Sequence, residues 1–246
     1  MGRIVASIEA RMTSSRLPGK VLADLAGEPA LTRLYQRLAK SQKIDGIILA
    51  TTINATDDPL AEWAAQQGID VYRGSEVDVL DRVVKAQQQM NSDIVVEICG
   101  DTPLLDPDII DQAVELFLEG NGDVITTSRK ETFPQGIDVE VFSLYNLEEV
   151  AATVQDPAVR EHVSLYFYDH PERYRIYDLI APRELFFPDQ RLQVDYPEDL
   201  ELVRKIYTRL LPIYGPDFTT RDIITLLQQE PSLGTINAHC EERAAR

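Results

Sequence analysis

Apolar, β-branched residues gather in short runs along the first half of the chain, and longer stretches with apolar residues every three or four positions separate them. The runs at 4–8, 46–50, 93–98 and 123–127, with a shorter one at 71–72, predict strands. The stretches 30–40, 59–67, 77–90 and 107–118 predict helices, and Pro59 and Pro107 each follow an Asp able to cap a first turn. The continuous apolar runs IVASI, GIILA and IVVEIC suit strands covered on both faces. Strand–helix alternation over 127 residues therefore predicts an α/β fold with a doubly wound, mainly parallel sheet.

The pattern changes after that point. Residues 136–143 read as a strand, 156–170 as an aromatic-rich helix and 173–180 as another strand. The short segment 191–194 leads into a helix over 197–211, residues 219–229 form a last helix, and the end from His239 is expected to fray. With no repeat, low-complexity tract or Gly/Ser linker, 1–246 is expected to form a single domain. The Pro- and aromatic-rich stretch 171–188 is expected to leave it as an excursion that makes a dimer contact.

Composition narrows the function. At 44% hydrophobic and 26% charged residues, the 246-residue chain has the make-up of an ordinary globular protein. A net charge of −17 argues against nucleic acid or an anionic membrane surface as partner. Cys99 and Cys240 have neither a metal-site spacing nor the number a disulfide framework needs. The apolar run at the N-terminus is too short for a secretory leader, and nothing approaches a membrane span, so a cytoplasmic location is expected.

The loop after the first strand departs from this acidic background. Residues 10–20, ARMTSSRLPGK, carry Arg11, Arg16, Lys20, Ser14 and Ser15 and no acidic side chain. Residues 1–20 are net +3 against −20 for the rest, a positive island suited to an anionic ligand at the carboxyl edge of a parallel sheet. Neither a Walker loop nor a dinucleotide fingerprint is present. Asp101 follows an apolar strand and a glycine, and Asp195 follows the apolar end of RLQV. Each reads either as a turn or capping residue or as one of two separated carboxylates of the kind hydrated Mg²⁺ uses.

ARMTSSRLPGKVL resembles the signature loop of the cytidylyltransferases that activate sugar acids. These are the CMP-sialate and CMP-3-deoxy-manno-octulosonate synthetases and, above all, the SpsF-like branch of spore-coat polysaccharide synthesis. The similarity continues in order through Asp57-Asp58-Pro59-Leu60, Arg73-Gly74-Ser75, Gly100-Asp101-Thr102-Pro103, the segment around Asp138 and Glu140, Arg160-Glu161-His162 and Asp195-x-Pro197. It implies a three-layer α/β/α nucleotidyltransferase fold with a mixed, mainly parallel sheet. It further implies a Mg²⁺-dependent reaction of CTP with a small, acidic sugar and a homodimeric enzyme. Nucleotide contacts are then expected from Ala10, Arg11, Ser14, Ser15, Arg16, Lys20, Arg73, Ser75 and Asp101, and Mg²⁺ contacts from Asp101 and Asp195. Catalysis would fall to Arg11, Lys20, Asp101 and Asp195.

The second substrate is expected to meet Gln135, Asp138, Glu140, Arg160 and His162. Two-residue alternation points Asp138 and Glu140 to one side, Arg160 suits a substrate carboxylate, and His162 is either a general base or a packed helical histidine. Arg73 and Ser75 also read as an ordinary turn, and Asp78 as the cap of the next helix or an ion-pair partner of Arg82. Thr102 stands where the SpsF-like branch usually has Cys, and the longer second-substrate region of sialate enzymes is missing. Two other readings remain: a nucleotide-sugar-dependent glycosyltransferase, whose Asp-x-Asp motif is absent at Asp101, and a catalytically silent nucleotide-binding partner.

Overall fold

The first strand, β1 (Ile4–Glu9), is central: every one of its residues except Glu9 is buried. The computed structural model describes residues 2–241. After β1 comes a two-residue hairpin, β2 (Asp24–Leu25) and β3 (Glu28–Pro29), which feeds α1 (Ala30–Leu38). Then follow β4 (Gly46–Thr52), α2 (Asp58–Gln67), β5 (Asp70–Gly74), α3 (Val79–Gln89), β6 (Ile94–Cys99), α4 (Pro107–Leu118) and β7 (Val124–Thr126). The second half contributes β8 (Glu140–Ser143), α5 (Leu144–Thr153), α6 (Pro157–Glu161), α7 (Leu165–Asp169), β9 (Ile176–Asp178), α8 (Pro197–Tyr214), α9 (Thr220–Gln229) and α10 (Pro231–Gly234).

Seven strands form one sheet in the order β5-β4-β1-β6-β8-β7-β9. The pairs β5–β4, β4–β1, β1–β6 and β7–β9 are parallel, and β8 runs antiparallel between β6 and β7. Period-two alternation divides the strand residues between two faces. Ile4, Ala6, Ile8, Val96 and Ile98 join Leu31, Leu34, Ile110, Leu202 and Ile223 in the main core, beneath α1, α4, α8 and α9. On the other face, Val95, Val124 and Phe142 pack with Val83, Leu147 and Phe167 of α3, α5 and α7. This is the expected three-layer architecture.

The second half departs from the sequence pattern in four places. Only 140–143 of the predicted strand 136–143 pairs, because Asp138 Oδ2 accepts from Gly136 N in a local turn. The predicted helix 156–170 breaks into α6 and α7 at His162, whose φ of −115° and ψ of 101° are extended. Helix α5 had no signal distinct enough to separate it from its neighbours. The expected excursion at 171–188 instead supplies the edge strand β9 and buries Leu179 and Ala181 in the main core. Residues 242–246 of the expected frayed end lie outside the described residues. Among the described residues, no helix is long and apolar enough to cross a membrane.

Candidate active site

A cavity of about 770 Å³ opens at the carboxyl ends of β1 and β6, where parallel sheets gather ligands. Its near wall is the loop 10–20. Met12 N donates to Asp57 Oδ1 (2.7 Å) and Gly19 N to Met12 O (2.9 Å), which closes the loop on itself. Gly19 adopts φ 72°, a left-handed conformation that favours glycine, and starts the short 3-10 turn at Lys20–Leu22. That turn aims Lys20 back over the sheet edge. Ala10, Arg11, Ser14, Ser15, Arg16 and Lys20 all line the cavity.

Both predicted metal aspartates face this loop. Asp101 follows β6 through Gly100, where a Cβ would come within 2.7 Å of Glu9 O, so only glycine fits the close approach to β1. Lys20 Nζ donates to Asp101 Oδ2 (2.6 Å) and Asp195 Oδ1 (2.7 Å), and Arg16 pairs with Asp195 at 2.7 Å. The back of Asp195 is held by Arg191, which also pairs with buried Asp199 at 3.2 Å. Asp195 N donates to Asp199 Oδ2 (2.9 Å) at the start of α8. Burial pushes the Asp195 carboxyl up, but Lys20, Arg16 and Arg191 outweigh it and hold it below its usual value. Burial likewise works against the Lys20 ammonium, and the two aspartates overcome it and raise it.

The predicted acceptor residues divide. Gln135, Asp138, Glu140 and His162 line the far wall of the cavity, with His162 exposed between α6 and α7 instead of packed in a helix. Arg160 does not line it: the guanidinium donates to Ala151 O (2.7 Å) and pairs with Asp78, tying α6 to the start of α3. Arg73 and Ser75 also lie off the lining. Arg73 donates to Thr52 O and Asn54 O (2.8 Å each) and pairs with Asp58 at 2.7 Å. Ser75 Oγ accepts from Asp78 N at 3.2 Å. For Arg73 and Ser75 the turn reading describes what the side chains touch, and Arg160 serves instead as a tie between α6 and α3.

The sequence reading placed Glu140 at the acceptor site but missed Glu9 and Glu97, which form the floor with it. Glu97 pairs across the sheet with Glu140, and Ser7, two residues before Glu9, is in register with Glu97. Alternation thus sets Glu9, Glu97 and Glu140 side by side on the α3 face, all lining the cavity. Glu97 is within hydrogen-bonding distance of both neighbours. Burial pushes Glu9 up to about 7 despite the opposing charge of Arg82, and burial plus the two flanking carboxyls raises Glu97 well above the usual range. Tyr168 donates to Glu140, and its hydroxyl lies 2.8 Å from Thr126 Oγ1. Strand register carries the signal: polar residues at 7, 9 and 97 interrupt otherwise apolar runs.

Comparison with known proteins fits this geometry. The cytidylyltransferase family model matches residues 5–218, and the chain belongs to that family. It is 33% identical over 240 residues to the spore coat polysaccharide biosynthesis protein SpsF of Bacillus subtilis, covering 96% of this chain and 98% of that one. It is also 33% identical over 170 residues to the 3-deoxy-manno-octulosonate cytidylyltransferase of Francisella tularensis subsp. novicida, covering 68% and 63% of the two chains. The solved structure of a cytidylyltransferase from Leptospira borgpetersenii superposes with a TM-score of 0.89 at 30% identity, covering 99% of this chain and all of that one. The structure of a CMP-3-deoxy-manno-octulosonate synthetase complexed with CTP shares the fold, with a TM-score of 0.62 at 18% identity and 84% and 99% coverage. The protein is therefore an enzyme of the nucleotidyltransferase class.

Proposed function

We propose that the chain transfers the cytidylyl group of CTP to a hydroxyl of a small sugar, giving a CMP-sugar and pyrophosphate for surface glycan synthesis. The observation that carries the reading is the meeting of Arg16, Lys20, Asp101 and Asp195 in one cavity, from three separate parts of the chain. An acceptor hydroxyl attacks the α-phosphorus and gives up its proton to water, a new O–P bond forms, the α–β phosphoanhydride bond breaks, and pyrophosphate leaves. Negative charge grows on the departing pyrophosphate, where Arg11, Arg16 and Lys20 are placed to neutralise it and Ser14 and Ser15 to donate. The far wall holds the acceptor in line, so positioning supplies much of the remaining rate.

The donor set suits Mg²⁺. Asp101 and Asp195 offer hard carboxylate oxygens that already converge on one cationic atom, and buried Asp101 Oδ1 has no protein hydrogen-bond donor among the described residues. When bound, the ion supplies charge neutralisation at the phosphoryl oxygens. A glycosyltransferase remains disfavoured because Asp101 is followed by Thr102 and Pro103 instead of completing an Asp-x-Asp pair. A silent binder is disfavoured because it needs no converging carboxylates.

The expected homodimer is assigned to the β9 edge, beside which Tyr177, Ile180 and Phe186 are exposed. The test of function is pyrophosphate release across nucleoside triphosphates and sugars with Mg²⁺. Acceptor-dependent release from CTP supports the proposal; consumption of a preformed nucleotide-sugar would replace it with glycosyl transfer.

A further inference from the structure

The support of Asp195 does not end with Arg191 and Asp199. We infer that Asn237 is a positioning residue for Asp195: its buried side-chain amide fixes the segment 190–199 that carries the metal carboxylate. This rests on the Mg²⁺-assisted cytidylyl transfer proposed above and extends its machinery past residue 218, where the family match ends.

Asp199 is wholly buried, and its Oδ2 accepts from Asp195 N (2.9 Å), Tyr196 N (2.9 Å) and Arg191 Nε (3.2 Å). Its other oxygen, Oδ1, accepts from Asn237 Nδ2 at 2.7 Å. The same Nδ2 donates to Arg191 O at 3.0 Å, and Asn237 Oδ1 accepts from Gln190 Nε2 at 3.3 Å. One neutral amide, 1% exposed, thus spends both donors and its acceptor on three residues of one segment. Alanine there would leave two buried acceptors short of a donor. Leu233 is buried in the main core and Ile236 packs against it, which anchors the turn that presents Asn237.

The clamped segment joins the two walls of the cavity. Gln135 N donates to Gln190 O (2.9 Å), Leu192 N to Gln135 O (2.7 Å) and Val194 N to Asp101 O (2.9 Å). Arg191, from the same segment, pairs with both Asp195 and Asp199. A shift of 190–195 therefore moves Asp195 against Asp101, and the carboxylates that converge on Lys20 lose their common focus. Asn237 is not among the residues lining the cavity, so it acts through these partners. Hydrogen-bond partners that orient a metal ligand are typically worth about 10- to 100-fold in metal affinity or activity.

The test is calorimetry of CTP binding to the full chain, once with Mg²⁺ and once with EDTA, on wild type, Asn237→Ala, Asn237→Ser and Asp195→Asn. The readout needs no acceptor, so it stands apart from which sugar is activated. Mg²⁺ should strengthen CTP binding to the wild type. Asn237→Ala should lose about tenfold of that gain, in the direction of Asp195→Asn, with binding in EDTA unchanged within about twofold. Asn237→Ser keeps one donor and carries the same test at about threefold should the alanine variant not fold. Met90→Ala, which thins the core beside Gly46 at the opposite edge of the sheet, controls for lost stability and should keep the whole gain. A full Mg²⁺ gain in the folded Asn237 variants, an equal loss in EDTA, or the same loss in Met90→Ala overturns the inference and leaves the metal reading standing. A wild type whose CTP binding ignores Mg²⁺ removes the metal reading itself, and this inference with it.

Discussion

Lys20 and Asp195 lie 175 positions apart in sequence, yet Lys20 Nζ sits 2.7 Å from Asp195 Oδ1 and, on its other side, 2.6 Å from Asp101 Oδ2. One ammonium thus bridges the two carboxylates assigned to the metal. Bound triphosphate offers this ammonium a second set of anionic oxygens. Lys20→Met should therefore weaken CTP binding by tenfold or more while changing CMP binding less than threefold, measured by calorimetry in the presence of Mg²⁺. Equal losses for both nucleotides would remove Lys20 from the β/γ-phosphates.

The two aspartates should differ in what their loss costs. Both Asp101→Asn and Asp195→Asn are expected to lower kcat by about 10²-fold or more, as removal of a preorganised charge does. Asp195, 3% exposed, counters three cations, so its amide variant should also lose roughly 3–5 kcal/mol of stability in denaturant unfolding. Asp101→Asn should lose about 1 kcal/mol or less. Full turnover in either variant would end the metal assignment.

Arg160 is expected to matter for folding. Arg160→Ala removes the bonds to Asp78 and Ala151 O and should cost about 1–3 kcal/mol, with the acceptor KM unchanged within twofold. A selective rise in acceptor KM at unchanged stability would return Arg160 to the acceptor site.

Glu9 sets a pH dependence. Its carboxyl is raised from an ordinary 4.5 to about 7, so the folded state favours the protonated form. The resulting stabilisation is complete below the unfolded value and fades as pH rises from about 4.5 through about 7. Ligand-free protein should lose roughly 1–3 kcal/mol of stability across that window, and Glu9→Gln should flatten the profile. Thermal unfolding between pH 4.5 and 8 reads both; a wild-type profile that rises with pH would contradict the raised Glu9 carboxyl.

Local pattern was sufficient for the first half of the molecule. β-Branched runs and capped helices specify β1, β4, β6 and α4 because burial on both faces and a fixed helical period leave their mark at short range. The cationic loop was equally legible, since Arg11, Arg16 and Lys20 are neighbours in the chain that stand out against an acidic background. Which far residues those cations meet depended on strand order, and so did the fate of Arg160, whose charge is spent on Asp78, 82 residues away. The Glu9–Glu97–Glu140 floor exists only because β1, β6 and β8 are adjacent in one register, with β8 antiparallel. Nothing within a single strand encodes its neighbour, and burial shifts a carboxyl only after packing has removed the water. Sequence therefore determined the layers and the anion-binding loop, and tertiary packing decided where the charges converge and what the second substrate meets.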